Sequence, residues 1–280
     1  MPKIHAQERG PPLVVELFFR YLDGHDLDDT NARIILYLLE HRRNLSKVTV
    51  TQLADECFVS PASITRFVQR FGFPSFADLK RLLDQETLKQ VSPAFQLSPH
   101  DRSELLSDPM SYYASYGKRI EDSIAATYRA FNAQATADLA RRIETCDRIF
   151  LFGFDSMIGY LQRFQGSLVQ CDKVSYLAVS EEQQLNLSKK MREGDLCIVV
   201  SSFGQFFQHH GEVASSISRS KAHSVLLTQS RAIFNAVSLD ETIVITNQPD
   251  PQAGSFNMEF YLEFLARYIY VRFLETHALS

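Results

Sequence analysis

Residues 49–80 read TVTQLADECFVSPASITRFVQRFGFPSFADLK, and this stretch has the pattern of a helix-turn-helix. Thr49 precedes a first helix whose apolar residues recur at helical spacing, and its hydroxyl can accept a hydrogen bond from the free N–H groups of the first turn. Ser60 and Pro61 begin a second helix, because serine caps well and proline tolerates the first helical position. Gly72 ends that helix in a left-handed conformation. The stretch therefore predicts two helices joined by a tight turn.

The second predicted helix has an apolar and a polar face. The apolar face, expected in the core, consists of Ile64, Phe67, Val68 and Phe71. The polar face carries hydroxyl, amide and guanidinium groups, which reach base edges and phosphates when the second helix of such a motif lies in the major groove. The predicted DNA-contacting residues of the stretch are Thr49, Ser60, Ala62, Ser63, Thr65, Arg66, Gln69, Arg70 and Lys80.

These residues have two predicted roles. Those expected to face bases are Ser63, Arg66 and Gln69. Those expected to contact phosphates are Ser60, Arg70 and Lys80. A surface salt bridge is the alternative role for Arg66.

Charge is distributed unevenly along the chain. The formal net charge is −4, yet residues 40–89 hold eight Lys or Arg and six Asp or Glu, so this segment carries +2 and the remainder −6. One copy of the motif is therefore expected to bind DNA weakly and with strong salt dependence. A homodimer or homotetramer offers several copies and strengthens binding.

Composition excludes several classes of protein. Hydrophobic residues make up 45% of the 280, enough for a substantial core. No apolar run approaches the ~20 residues of a membrane helix, and the N-terminus lacks the apolar segment of a signal peptide, so we expect a cytoplasmic protein without a membrane partner. The four cysteines lie far apart without ligand spacing, so we predict no zinc site, no disulfide framework and no cofactor.

Further helical patterns flank the motif. Helices are predicted at 13–22, from residue 29 or 30 to about 41, at 76–90, at 110–131 and at 136–145. Pro93 and Pro99 lie among several serines in a segment where no helical period persists. We therefore predict a helix-turn-helix domain at 1–90, a linker at 91–108 and a second domain at 109–280.

From Asp147 onward, short apolar runs alternate with helical stretches. Strands are predicted at 148–154, 173–179, 195–202, 223–229 and 241–247, and helices at 156–170, 181–192, 205–219, 231–237 and 256–277. Alternation with a period of roughly 25 residues requires crossover connections. The predicted fold is an all-α head followed by a three-layer α-β-α domain with a five-stranded parallel sheet.

Two loops follow predicted strands and precede helices, where parallel sheets bind ligands. The first reads Gly153-Phe154-Asp155-Ser156, and the second reads Ser201-Ser202-Phe203-Gly204-Gln205. Glycine permits a sharp turn, and hydroxyls beside a helix N-terminus favour an anion such as phosphate. In both loops the alternative is a serine that only caps its helix. The predicted effector-binding residues are Gly153, Asp155, Ser156, Glu182, Ser201, Ser202, Gly204 and Gln205, although Glu182 also fits a solvated first-turn glutamate.

No catalytic or metal-binding arrangement is recognisable. His209 and His210 point to different faces of a helix, which predicts one surface and one semi-buried histidine. Neither G-x-G-x-x-G nor a nucleophile elbow is present. We predict no catalytic residue and no metal site.

Both halves of the chain resemble the RpiR family of bacterial transcriptional regulators, which join a helix-turn-helix to a sugar isomerase (SIS) domain. The matching residues of the motif are Leu53-Ala54, Val59-Ser60, Arg66-Phe67, Phe71-Gly72-Phe73 and Leu79-Lys80. In residues 110–275, the order of strands, helices and glycine loops fits the SIS domain. The resemblance implies operator DNA as partner, a sugar phosphate or similar small molecule as effector, and a homodimer or homotetramer.

The effector loops depart from the RpiR pattern, which binds phosphosugars through a Gly-x-Gly-x-Ser turn and a Ser-x-Ser-Gly-x-Thr loop. The matching residues are Gly153, Ser156, Ser201 and Gly204. Asp155 lies where the family prefers a small residue, and Phe203 and Phe206 replace a serine and a threonine. Two missing hydroxyl donors, each worth about 1.5–3 kcal/mol, lower phosphate affinity by orders of magnitude. Either backbone N–H groups and the remaining serines hold the effector, or it is not an ordinary phosphosugar, or the pocket is structural.

Three functions remain open. The leading hypothesis is a DNA-binding regulator whose SIS domain provides assembly and effector sensing. An SIS-type phosphosugar isomerase would need a base, for which the candidates are Glu181, Glu182 and Glu212. In the third, the SIS domain is only a dimerisation scaffold, which Phe203 and Phe206 make credible.

Overall fold

The structure, a computed structural model, describes residues 14–89, 97–154, 156–230, 239–246 and 248–277. The chain divides into two units, Met1–Ser92 and Pro93–Ser280. The division falls inside the segment for which the sequence predicts a linker. Among the helices of the described residues, none has both the length and the apolar character needed to cross a lipid bilayer.

The first unit is helical in its described part. Its helices are α1 (Val14–Asp23), α2 (Thr30–Glu40), α3 (Val50–Glu56), α4 (Pro61–Arg70) and α5 (Phe76–Lys89), with a single 3₁₀ turn at Leu45–Lys47. The predicted helices of this unit are confirmed, with ends within two residues of those expected. Helices α3 and α4 form the helix-turn-helix.

The helices of this unit share one apolar core. The ring of Phe18 on α1 is fully buried, and its centroid lies 6.0 Å from that of Phe67 and 5.7 Å from that of Phe71. Ile64, Phe67 and Val68 are buried as predicted, whereas Phe71 at the end of α4 is only partly buried. Helix α4 is thus held by its apolar face, and its other face is left for solvent or a partner.

The predicted linker contains a helix that its sequence pattern does not predict, α6 (Pro99–Ser107). Ser98 caps α6 in a capping box with Asp101, and Pro99 occupies the first helical position. Proline at that position loses no hydrogen bond, so it begins this helix instead of preventing one. The expectation of a helix-free segment is therefore wrong for residues 99–107, whereas residues 90–96 lie outside the described part. Helix α7 (Pro109–Ala130) follows directly.

The second unit contains a five-stranded sheet. Its strands are β1 (Ile149–Gly153), β2 (Ser175–Leu177), β3 (Leu196–Val200), β4 (His223–Thr228) and β5 (Glu241–Val244), in the order β2-β1-β3-β4-β5. Every neighbouring pair is parallel. All residues of β1 and β3 are buried, because helices cover both faces of the sheet. The prediction of five parallel strands is confirmed.

Helices form the two outer layers. On one face, α8 (Ala133–Thr145), α9 (Ser156–Val169) and α13 (Gly254–His277) pack against residues such as Leu151 and Ile198. On the other face, α10 (Glu181–Ser188), α11 (Gln205–His209) and α12 (Gly211–Ser218) pack against Phe150, Phe152 and Val199. The predicted three-layer arrangement is confirmed.

Two predicted helices differ from the observed ones. The single helix expected at 205–219 is two helices, because the chain leaves the helical conformation at His210. Helix α10 ends at Ser188, before the predicted residue 192. The helix predicted at 231–237 lies outside the described residues.

Candidate functional sites

Side-chain caps fix the start of both helices of the helix-turn-helix. Thr49 Oγ1 accepts a hydrogen bond from the N–H of Gln52 at 3.2 Å, and Gln52 Oε1 accepts one from the N–H of Thr49 at 2.9 Å. This reciprocal pair is a capping box. Ser60 Oγ accepts from the N–H of Ser63 at 3.2 Å, and Pro61 occupies the first helical position. The predicted capping roles of Thr49 and Ser60 are confirmed.

The polar face of α4 is open. Its exposed residues are Ala62, Thr65, Arg66, Gln69 and Arg70, and Ser63 is partly buried. Arg66 Nη2 donates to Ser63 Oγ at 3.0 Å, and no carboxylate in the described part of the chain forms an ion pair with Arg66. The guanidinium therefore keeps most of its five N–H donors for another partner.

Two of the predicted phosphate contacts on this unit also touch aromatic rings. Arg70 Cζ lies 5.6 Å from the centroid of Tyr21, a cation–π distance. Lys80 Nζ donates to the carbonyl of Val48 at 2.8 Å and lies 5.2 Å from the centroid of Phe76. Lys80 thus ties α5 to the segment before α3. Its ammonium has two further N–H donors, so its phosphate contact stays a prediction.

The first candidate loop is tightly packed around Gly153. A Cβ at this position would lie 2.8 Å from Leu161 Cδ1, so the turn has no room for a side chain. The carbonyl of Gly153 accepts a hydrogen bond from Nε2 of the fully buried Gln184 at 2.9 Å. Two predicted effector groups of this loop, Asp155 and the side chain of Ser156, lie outside the described part of the chain.

Both serines of the second loop form hydrogen bonds within the protein. Ser201 Oγ accepts from the N–H of Phe206 at 3.3 Å, and Ser202 Oγ donates to Met157 Sδ at 3.6 Å. Both serines are buried, and Gln205 is partly buried. The hydroxyl of Ser201 therefore caps the short helix α11, which is the alternative role that the sequence left open.

Aromatic rings occupy the positions of the two missing hydroxyl residues. The side chain of Phe206 is fully buried in the core beneath α11 and α12. Phe203 packs against the first turn of α13, where a Cβ on Gly254 would lie 2.8 Å from Phe203 Cζ. Gly204 has a φ of +80° and provides no side-chain cap. Because α11 contains only five residues, its dipole favours an anion less than the long predicted helix would.

Ring contacts connect the first candidate loop with α11, the helix that follows the second loop. Phe154 of the first loop stacks on His209 with 4.4 Å between centroids and an interplanar angle of 4°. The ring of His210 meets Phe154 edge to face at 5.3 Å and lies 5.4 Å from that of Phe206. His209 is exposed and His210 is buried, which confirms the prediction for this pair. Rings thus occupy space beside loops that the sequence assigned to an anion.

The glutamates considered for the effector or for catalysis are solvent-exposed. Glu181, Glu182 and Glu212 all belong to first helical turns, where a carboxylate interacts favourably with the helix dipole. Ser180 and Gln183 cap α10 independently of them. These exposed positions fit glutamates that are solvated, which is the alternative considered for Glu182, and do not resemble the enclosed position of a catalytic base.

A network of buried amides at the carboxyl ends of the strands was not predicted. Gln229, directly after β4, donates through Nε2 to the carbonyl of Gly254 at 2.5 Å. Its Oε1 accepts from Asn257 Nδ2 at 3.1 Å, and the same Nδ2 donates to Ser123 Oγ at 2.7 Å. Because the carbonyl of Gly254 can only accept, it sets the orientation of both amides.

Two buried side-chain amide oxygens, one of this network and one beside Gly153, have no hydrogen-bond partner among the described residues. They are Asn257 Oδ1 and Gln184 Oε1, and both side chains are fully buried. Buried polar atoms usually have a partner, so these oxygens have capacity for a hydroxyl or amine donor. In the sequence, Gln229 is visible as a polar residue ending an apolar strand, whereas nothing marks its partner on α13.

Two cavities of the second unit lie apart from the predicted effector residues. One of about 790 Å³ lies between α10 and α12 and is lined by polar and basic residues that include Lys189, Arg219 and Lys221. The other, of about 320 Å³, is apolar and lies among α7, β5 and α13, with Phe131, Phe260 and Phe264 in its wall. None of the predicted effector-binding residues lines either cavity.

Comparison with known proteins gives matches for the first unit and for much of the chain. The helix-turn-helix domain model of the rpiR family matches residues 22–90. An uncharacterized HTH-type transcriptional regulator of Providencia stuartii, from the aarA 3' region, is 25% identical over 177 residues, which cover 62% of this chain and 61% of the relative. The HTH-type transcriptional regulator GlvR of Bacillus subtilis (strain 168) is 25% identical over 184 residues, which cover 64% of this chain and 63% of that relative. The chain thus spans less than two thirds of the length of these relatives.

A solved structure is similar over a longer range. It is that of the Vibrio vulnificus NanR protein complexed with ManNAc-6P, with 17% identity and a TM-score of 0.49. The similarity covers 95% of this chain and 92% of that one.

Proposed function

We propose that this protein is a transcriptional regulator that binds operator DNA through α4, because the helix-turn-helix domain model of the rpiR family matches residues 22–90. The observation that carries the proposal is the exposed polar face of α4, where Arg66 has no carboxylate partner in the described part of the chain. With the N-terminal end of α4 in the major groove, Ser63, Arg66 and Gln69 face the bases.

The protein acts as a homodimer or homotetramer in this proposal. The segment 40–89 carries only +2, so one copy gains little affinity from phosphate neutralisation. Two linked copies bind with a higher effective concentration and match a two-fold symmetric operator. The second unit supplies assembly and senses a sugar phosphate or similar small molecule at the carboxyl ends of its strands.

A second candidate for the second unit is a scaffold without an effector. The hydroxyls of Ser201 and Ser202 form internal hydrogen bonds, and the ring of Phe206 is buried, which favours this alternative. A thermal-shift screen of the full chain with sugar phosphates separates the two. A specific ligand at 100 times its Kd stabilises the folded state by about 2.7 kcal/mol, whereas no shift across a broad panel supports the scaffold.

We do not assign an enzymatic activity. The glutamates proposed as bases are exposed in helix first turns, where a carboxylate is solvated and interacts with the helix dipole. Turnover of fructose 6-phosphate or glucosamine 6-phosphate at an ordinary enzymatic rate would overturn this conclusion.

A competition titration tests DNA binding itself. The full chain is titrated onto a labelled duplex that it has selected from a random-sequence pool, at about 150 mM salt, with unselected pool DNA as competitor. We expect a preference of at least about 10³ for the selected duplex, the lower range of sequence-specific proteins. Equal affinity for selected and unselected DNA would refute the proposal.

A further inference from the structure

The turn of the helix-turn-helix contains a phenylalanine in an unfavourable backbone conformation. After α3, the N–H of Val59 donates to the carbonyl of Ala54 at 2.9 Å, and the N–H of Phe58 donates to that of Asp55 at 3.1 Å. This pair of hydrogen bonds is a Schellman motif, which places its central residue in the left-handed region. Phe58 has a φ of +55°. Glycine is the usual residue there, because a Cβ is strained at positive φ.

Helix α4 ends with the same motif and has glycine at the equivalent position. The N–H of Phe73 donates to the carbonyl of Val68 at 3.0 Å, and the N–H of Gly72 donates to that of Gln69 at 3.0 Å. Gly72 has a φ of +82°. The motif therefore forms without a side chain at its centre, and the ring of Phe58 is not needed to end a helix in this fold.

The ring of Phe58 also contributes little to the core of its own unit. Its exposed fraction is 86%, the highest of any phenylalanine in the described part of the chain. It is absent from the apolar cluster of the unit, in which Cys57 is buried and Val59 partly buried. Among the described residues of this unit, an exposed aromatic ring at a strained position brings no packing benefit, which points to a partner outside them.

The position of Phe58 identifies that partner. Phe58 lies two residues before Ser60, the N-cap of α4, and therefore at the end of α4 that enters the major groove when the helix reads DNA. Apolar side chains at this end recognise the C5-methyl group of thymine, which projects into the major groove. Resting on the proposed function, we infer that Phe58 contacts a thymine methyl of the operator and contributes to sequence specificity.

Methyl deletion in the DNA combined with Phe58→Gly in the protein tests this contact. The duplex selected by the wild-type full chain is titrated with each thymine replaced in turn by deoxyuridine, which lacks only the methyl group. We expect replacement of one thymine in each half-site to weaken wild-type binding about tenfold. Phe58→Gly should weaken binding to the thymine duplex by a similar factor and should be insensitive to that replacement. Its salt dependence should equal that of wild type, because no charge is removed.

Two controls separate DNA contact from folding. Phe58→Gly relieves the strain at positive φ, so its thermal unfolding midpoint should equal or exceed that of wild type. Leu27→Ala removes another exposed apolar side chain of the same unit, with an exposed fraction of 57%, and should leave DNA binding and its deoxyuridine sensitivity unchanged.

Three results would overturn the inference. The first is Phe58→Gly binding the selected duplex as tightly as wild type does. The second is weaker binding by Phe58→Gly with full sensitivity to every deoxyuridine. The third is a selected duplex in which no thymine methyl matters to wild type. If the wild-type protein selects no sequence at all, the proposed function fails together with the inference. If only the inference fails, the wild-type protein still selects a sequence, so the two failures are distinguishable.

Discussion

Arg148 and Asp195 form an ion pair in which the carboxylate side chain is completely buried. The guanidinium donates through Nε at 2.9 Å and through Nη2 at 2.6 Å, and the N–H of Arg192 donates to the same carboxylate at 2.7 Å. Burial acts to raise the pKa of Asp195, but these hydrogen bonds outweigh it, so the pKa is lowered. The pair joins the starts of β1 and β3 and thereby holds the centre of the sheet.

Arg148→Ala should therefore destabilise the second unit strongly. Removal of one partner leaves a buried charge without compensation, and we expect the free energy of unfolding at neutral pH to fall by about 3–5 kcal/mol. Wild type should lose the contribution of Asp195 as the pH falls below about 4, because a carboxyl with a lowered folded pKa stabilises only when ionised. Urea unfolding across this pH range measures both effects.

The control for this prediction is Arg141→Ala. Arg141 pairs with Asp138 on the exposed side of α8, and loss of such a pair changes stability by at most about 1 kcal/mol. In Arg148→Ala the burial of Asp195 raises its pKa, so acidification should recover part of the lost stability. Equal effects of the two substitutions would contradict the role assigned to the buried pair.

The exposed residues of α4 were predictable because helical periodicity separates the two sides of this helix. Arg66 and Gln69 are exposed as that periodicity requires. The hydrogen bond from Lys80 to Val48 was not predictable, because it joins residues far apart in the chain and depends on how α5 packs. The sequence could identify residue types suited to DNA, but not those that also hold the domain together.

Among the single elements, α11 and the loop before it (Ser201–Gln205) are where the sequence predicts phosphate binding. The loop contains two serines with internal hydrogen bonds and a glycine in the left-handed conformation, and the helix that follows it has only five residues. Phe203 adds a ring that packs on Gly254 at the start of α13. The loop therefore has the position predicted for a phosphate site, but both of its serine hydroxyls take part in hydrogen bonds within the protein.

Phe203→Ser should increase the response to sugar phosphates. The substitution removes the ring from Gly254 and restores a hydroxyl donor, which is worth about 1.5–3 kcal/mol with a charged acceptor. We expect a larger thermal shift with at least one sugar phosphate than wild type shows. Phe207→Ser is the matched control, because Phe207 is a neighbouring, partly buried ring outside the loop motif. Similar shifts in both variants would contradict a special role of position 203.

Elements were predictable where local signals determine them. Thr49 and Ser60 cap α3 and α4 through their own first turns, so the start of each helix was visible in the sequence. Helix α6 was missed because Pro99 was interpreted as a helix breaker, although Ser98 and Asp101 form a capping box around it. The network of Gln229 with Asn257 was missed because it connects a strand end to a distant helix.

In the molecule as a whole, the chain combines a helical unit that contains a helix-turn-helix with an α/β unit. The first unit has a weakly positive segment and an exposed helix face, and the second unit has a parallel sheet whose central strands β1 and β3 are buried. A segment with a charge of only +2 gains little affinity from phosphate neutralisation, which is why the proposed function includes a second copy. The order of strands and helices was predictable from alternating patterns, whereas chemistry at the strand ends depends on contacts that only the fold creates.

Parallel selection by two forms of the protein tests whether α4 reads DNA sequence. Wild type and the double variant Arg66→Ala/Gln69→Ala are each incubated with the same random-sequence duplex pool at about 150 mM salt, and the bound DNA is sequenced. If α4 reads DNA sequence, the wild-type protein will enrich one sequence in half-sites separated by a multiple of about 10 base pairs. The double variant should remain folded and should enrich no sequence. No enrichment by wild type, or enrichment of the same sequence by both proteins, would contradict sequence reading by α4.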